Sequence, residues 1–291
     1  MDRAVFLERD TRFELATPSL GSPSQGVARV LLRPRTYDLK DGLERLPVGT
    51  ERIDYRKPHE LQKLLEAALR HDAATFAATR EEHAGLRPPG STERYEPIAP
   101  FVAFALLTGM RLGEAVGLEW RQVDLEALDR EGHPVGEIHL TAATKTKRAR
   151  TVGLEVSPAL RRMLAALQLR GGGKGSVFGL TRDATKAAEA RLRRAYGASA
   201  GCGWQALRRS CGTYLTNAPG IFGAASAYRS AKQLGHSVQV AEKHYLDVAR
   251  GIPRDARTLE AAMQIEKQME AVIEAVGAKP AAAYPARVLS A

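Results

Sequence analysis

Residues 234–246 read Leu-Gly-His-Ser-Val-Gln-Val-Ala-Glu-Lys-His-Tyr-Leu. Gly235 is placed to close a helix predicted over 224–234, and the spacing of apolar residues predicts the next helix over 238–249. His236 falls in the turn between them and Tyr245 on the second helix, nine residues on. Taken singly, each has an ordinary structural reading. A histidine after a capping glycine is a helix-end residue, and a tyrosine on a half-buried helix is core with its hydroxyl at the surface.

Working outward, three more segments carry unusual cations. Trp204-Gln-Ala-Leu-Arg-Arg-Ser210 opens a helix predicted over 205–217. Lys145-Thr-Lys-Arg-Ala-Arg150 lies between two strand-like alternations, Ile138 and Leu140 before it and Val152, Leu154 and Val156 after it, and so reads as a hairpin. Thr108-Gly-Met-Arg-Leu-Gly-Glu114 sits in a strongly apolar helix that begins at Pro100 and breaks at Gly109. Around these, a helix is expected at 58–71, where Leu61, Leu64, Leu65, Ala68 and Leu69 form one stripe, and a polar surface loop at 79–98. Ser157-Pro158 reads as an N-cap followed by proline at the first helical position, with Gly171 closing that helix. Further helices are expected at 183–196 and 257–276. Residues 1–51 read as an irregular arm rich in proline and glycine, and the tail 278–291 as disordered. The pattern predicts a mainly α protein with one small antiparallel β-sheet, an α+β fold.

The chain has 291 residues, 43 Lys plus Arg and 33 Asp plus Glu, for a formal net charge of +10. The charge is localised. Residues 1–98 hold 16 basic and 16 acidic side chains, whereas 141–209 hold 15 basic and 3 acidic. A local field of that size favours an anionic partner on one face over a uniform bias toward arginine.

Several classes are excluded. No apolar run approaches the roughly 20 residues that span a bilayer, and the charged N-terminus lacks the apolar core of a secretory signal. Cys202 and Cys211, separated by eight residues, fit small buried residues in a reducing cytosol and not a zinc ligand pair with His236 and His244. Gly171–Ser176 (GGGKGS) follows a helix, and its Lys174 is followed by glycine, so it is a helix end and loop and not a phosphate loop. No metal site or serine-hydrolase elbow stands out.

In these segments the chain resembles the tyrosine recombinase (phage integrase) family. That family's catalytic domain carries a T-G-x-R-x-x-E box, a hairpin lysine, an H-x-x-R box, an L-G-H box and a tyrosine nine residues after that histidine. Each has a counterpart here in order, the H-x-x-R box with glutamine in place of its histidine, and the resemblance covers roughly 52–250, extending as far as 277 if the last helix is included. It implies that Arg111 and Arg208 clamp the non-bridging oxygens of a DNA phosphodiester, in bidentate fashion and at any working pH. Tyr245 would attack the phosphorus, forming a 3′-phosphotyrosyl link and freeing a 5′-hydroxyl. Lys145 would protonate the leaving oxygen, with Lys147 the nearest rival, and His236 would donate to the phosphate or assist proton transfer. The covalent link conserves the bond energy, so the resemblance implies neither metal nor other cofactor. Lys147, Arg148, Arg150 and Arg209 would contact the duplex. The implied partner is double-stranded DNA, bound by a homo-oligomer (tetramer), with DNA integration or excision in the cytoplasm as the setting.

Two features depart from the family. The H-x-x-R box reads Gln205-Ala-Leu-Arg208, and an amide can donate to phosphate but cannot move a proton near neutral pH. Residues 1–51 are too short and irregular for the helical core-binding domain that family members carry before the catalytic one. These departures keep two other readings open: a DNA-binding remnant with impaired chemistry, and a type IB topoisomerase-like enzyme. The amphipathic segment 257–276 likewise has two readings, packing within the chain or docking on a neighbouring protomer.

Overall fold

The computed structural model describes residues 55–76, 80–88, 97–141, 149–196, 203–245 and 251–278. The chain divides between Arg52 and Ile53, and every described residue belongs to the second part. The arm at 1–51, the tail beyond 278, Cys202, Lys145, Lys147 and Arg148 lie outside the described residues. The fold is mainly helical with a three-stranded antiparallel sheet. No helix among the described residues is long and apolar enough to cross a membrane.

Helix α3 (Ala99–Thr108) is apolar on all sides and all ten of its residues are buried, which puts it at the centre. Helix α1 (Pro58–Phe76) packs on it through Leu61, Leu64 and Leu65 and runs a turn beyond the expected end at residue 71. The buried Asp72 carboxylate of α1 accepts the backbone N–H groups of Ile98 (2.9 Å) and Ala99 (2.9 Å), satisfying donors that the first turn of α3 leaves without partners. At the other end, the Thr108 hydroxyl returns to the Phe104 carbonyl, and Gly109 closes the helix with φ 59°. The break expected at Gly109 is there, and the short helix α4 (Leu112–Val116) follows it. Helix α2 (Arg80–His83) is a single turn in the segment expected to be loop.

Strands β1 (Val123–Asp124), β2 (Glu137–Leu140) and β3 (Arg150–Gly153) form the sheet in that order. Ile138 pairs with Val152 and both are fully buried, while His139 and Thr151 face out. β1 has only two residues, too few to show alternation in the sequence. Leu154 and Val156 lie beyond the end of β3, though both are buried.

Helix α5 (Pro158–Gly171) begins at the expected proline, but the Ser157 side chain does not cap it. Glu260, far along the chain, accepts both the Ser157 hydroxyl (2.8 Å) and the Ala159 N–H (2.8 Å). Helices α6 (Arg182–Tyr196), α7 (Trp204–Asn217), α8 (Pro219–Phe222), α9 (Ser226–Leu234) and α10 (Val238–Tyr245) follow. α7 lies against α3, α9 and α10, and α9 also meets β3.

The final helix expected over 257–276 is two helices, α11 (Leu259–Met263) and α12 (Glu266–Ala278). Gln264 divides them with φ 56°, a left-handed conformation adopted without glycine. The apolar stripe of α12, with Met269, Val272 and Val276 at 0–1% exposure, is buried within the same chain against α5, α3 and α1. Intramolecular packing therefore accounts for that stripe.

Candidate functional site

The turn after α3, the first turn of α7, the α9–α10 turn, the end of α10 and the start of β3 converge. Arg208, on the inner face of α7, is 5% exposed. Its Nη1 donates to the Gly109 carbonyl (2.6 Å) and its Nη2 to the Leu234 carbonyl (2.7 Å). Both acceptors lie at helix C-termini, where unpaired carbonyls concentrate negative potential. One guanidinium thus ties the ends of α3 and α9 together, with further N–H groups left for another acceptor. Burial first, then the charge of Arg111, holds its pKa down to about 10, so it stays cationic at neutral pH.

Gly109 and Gly235 make this approach possible. Gly235 has φ 73°, and a Cβ there would sit 2.8 Å from Arg150 Cδ. A Cβ on Gly109 would sit 2.4 Å from Leu234 Cδ2. Any side chain at either position would push the two helix ends or the arginine apart.

Arg111 precedes α4 in an extended conformation, and its side chain is 30% exposed. Glu114 caps it: the carboxylate accepts the Arg111 N–H (3.0 Å) and Nη1 (3.2 Å). The same carboxylate takes Arg150 through Nη1 (3.1 Å) and Nη2 (2.6 Å), and Arg150 Nε donates to the Gln233 carbonyl (3.2 Å). Burial works to raise the Glu114 carboxyl. The Arg150 and Arg111 hydrogen bonds and their charges outweigh it and leave the pKa below the ordinary glutamate value.

His236 follows Gly235, with Nδ1 3.1 Å from the Ser237 carbonyl. That contact assigns the proton of the neutral ring to Nδ1 and leaves Nε2 an acceptor, and Nε2 is buried with no partner among the described residues. Burial lowers the His236 pKa, and the charges of Arg208, Arg111 and Arg150 add to that. The ring is therefore neutral at pH 7. It lies 5.4 Å from the Tyr245 ring, centroid to centroid.

Tyr245 ends the described part of α10 and is 6% exposed. It rests against the backbone of α7 at Gly212, where a Cβ would come within 2.9 Å of Tyr245 Cζ. Burial raises its hydroxyl pKa, outweighing Arg208, Arg209 and Arg111, which pull it down. At neutral pH it is a protonated phenol. No hydrogen bond to its hydroxyl forms among the described residues.

The structure therefore brings Arg111, Arg208, His236 and Tyr245 within one another's fields. Gln205 is exposed one turn before Arg208, and Arg209 is exposed beside it. Arg150, expected to contact a duplex, has a side chain that is 7% exposed and a guanidinium held by Glu114. Cys211 lies beneath the site, its thiol pKa raised by burial to about 12.

No family model and no curated protein matches the chain. Among solved structures it is similar to two complexes of the XerH site-specific recombinase. One is the pre-cleavage complex with difH substrate, 17% identical at a TM-score of 0.40, matched over 66% of this chain and 49% of that one. The other is the post-cleavage complex with palindromic difH substrate, 18% identical at 0.40, over 72% and 56%. The chain spans about half the length of those chains.

Glu114 and Arg150 are the residues that sequence reading passed over as a pair. A carboxylate inside the apolar stretch 100–118 was the available signal, since such a group must find a partner when it folds inward. Its partner, 36 residues away, left no local trace.

Proposed function

We propose that this chain is a DNA strand transferase of the tyrosine recombinase type, with Tyr245 as nucleophile. What supports the reading is the convergence of Arg111, Arg208, His236 and Tyr245 from separate segments onto one locus, two of them cations that stay charged at working pH. A phosphodiester seated there would have its non-bridging oxygens on Arg111 and the remaining N–H groups of Arg208. Tyr245 Oη attacks phosphorus while its proton passes to the vacant Nε2 of His236. The P–O5′ bond breaks, the phosphate remains on Tyr245 as a 3′-phosphotyrosyl ester, and Lys145 gives the departing 5′-oxygen its proton. Attack by a 5′-hydroxyl reverses each step and rejoins the strand. Gln205 contributes an amide donor to the phosphate, and Arg209 meets a neighbouring one.

The test is a pool of duplexes with a randomised centre and a nick one nucleotide 3′ of the scissile position, incubated with the protein in EDTA. The expected result is a denaturant-resistant protein–DNA adduct that is absent with Tyr245→Phe. DNA binding with no adduct at any protein concentration overturns the chemistry and leaves a binding remnant. Affinity should fall steeply with salt as phosphate contacts release counterions, and a salt-independent affinity would remove DNA as the partner.

A further inference from the structure

The basic stretch ending at Arg150 reads as a hairpin whose cations meet a duplex, yet the Arg150 side chain is only 7% exposed. Arg150 is the first residue of β3, so its backbone position is set by pairing with Leu140 across the sheet. Its guanidinium leaves the sheet and meets two other elements: Glu114 on α4 through two bonds, and the Gln233 carbonyl near the end of α9 through a third. Gly235 completes the seat, because a Cβ there would lie 3.0 Å from Arg150 Nη1. Three elements therefore meet on one side chain. One carries Arg111, one leads into His236, and the third is the strand that follows the Lys145 segment.

We propose that Arg150 is a positioning residue for phosphate cleavage, which registers β3 against the Arg111 and His236 elements and holds Glu114 so that Arg111 is not neutralised by it. The inference rests on the cleavage chemistry proposed above. The charge arithmetic carries the second half. Arg111, Glu114 and Arg150 together hold one negative and two positive charges. Glu114 makes its shortest contact, 2.6 Å, with Arg150 and only a 3.2 Å side-chain contact with Arg111. With Arg150 taking the fork, Arg111 keeps a net positive charge and enough freedom to meet an anion. Without Arg150, the carboxylate falls to Arg111 alone, and the cation meant for the phosphate is paired within the protein. A lysine at 150 would keep the charge but cannot hold both carboxylate oxygens and the carbonyl in one plane.

The alternative role, a duplex contact, makes the opposite forecast. A phosphate contact contributes to affinity and to its salt slope. A positioning residue contributes to the rate at saturating DNA. The experiment measures both on the full chain, using a nicked duplex that the wild-type protein cleaves. Arg150→Gln should lower the single-turnover rate of adduct formation on the order of 100-fold, the scale of a displacement of about 1 Å in a catalytic group. Its dissociation constant should stay within about twofold and its salt slope unchanged. Arg150→Lys should recover part of the rate. The double variant Glu114→Gln/Arg150→Gln leaves no unpaired buried charge, so if the single variant unfolds, its own lowered saturated rate with an unchanged dissociation constant, measured against wild type, carries the test. Where both fold, its loss should be no greater than that of Arg150→Gln alone, as expected of residues acting as a unit. If Arg150→Gln weakens binding and flattens the salt slope while the saturated rate holds, Arg150 is a duplex contact and the inference is overturned. An additive double loss overturns it as well. Absence of an adduct with the wild-type chain instead brings down the cleavage chemistry itself, and this inference with it.

Discussion

Replacing Gly212 with alanine isolates the placement of Tyr245. Gly212 lies in mid-α7, where an added Cβ would stand 2.9 Å from Tyr245 Cζ, 3.0 Å from Cε1 and 3.0 Å from Leu234 Cδ1. Carbon atoms in contact settle about 3.5–4.0 Å apart, so the ring must retreat by about 0.5–1 Å. Cζ bears the hydroxyl proposed as nucleophile, so the displacement falls on the atom that would attack. A misplacement near 1 Å costs about 100-fold in rate. The expected loss in adduct formation is therefore about 10- to 100-fold, or about 1.4–2.7 kcal/mol in barrier. Stability moves less. Overpacking costs about 1–3 kcal/mol, and alanine regains about 1 kcal/mol of helix propensity over glycine. Gly212→Ala should stay folded, with an unfolding temperature within several degrees of wild type, and bind DNA normally. Single-turnover adduct formation at saturating DNA, with thermal unfolding alongside, measures both quantities. A folded variant cleaving within twofold of wild type would show that the Gly212 contact does not place the nucleophile.

Three further outcomes follow from the site and the core. If His236 accepts the Tyr245 proton, adduct formation should fall as pH drops, with a midpoint below the ordinary histidine value of 6.5, because burial and the arginines lower its pKa; a midpoint above 7 would count against that role. Burial raises the Glu260 pKa, so the fold favours the neutral acid. Its stabilising share is then full below about 4.5 and lost as pH rises through the raised value. Glu260→Gln should remove that downward component from unfolding temperatures measured between pH 4 and 7, and parallel curves for the two proteins would refute the assignment. Gln205→His should speed cleavage by up to about 100-fold if a proton-transferring group is what this position lacks, whereas an unchanged or slower rate would show that the amide suffices.

What was legible in the sequence is what local chemistry writes into it. The break at Gly109 follows from a left-handed residue after an apolar helix, the start of α5 from proline at its first turn, and β2 and β3 from alternation around Ile138 and Val152. The spacing of His236 and Tyr245 across a glycine-capped turn could be read for the same reason. What was not legible joins distant segments. Asp72 caps a helix that begins 27 residues later, and Glu260 caps one that begins about a hundred residues earlier. The basic neighbours of Arg150 point to a duplex contact and leave its Glu114 pairing hidden, because a run of charge does not show which member finds a carboxylate across the fold. Gln264 breaks the last helix in a conformation that glycine normally marks, and no glycine or proline stood there to announce it.

The placement of α12 sets the order in which this protein can be completed. α12 covers α1 and α3, and the Gln264 carbonyl accepts the Gln62 side chain, so the last described helix closes over the first. During synthesis at about 5–20 residues per second, about 200 residues must follow α1 before that cover exists, an interval of about 10–40 s. Throughout it, part of α3, which has no polar face to turn outward, lacks its final neighbour. A nascent chain that stalls before Met269 would present that surface to chaperones and proteases, so quality control on this protein reads whether α12 has been made.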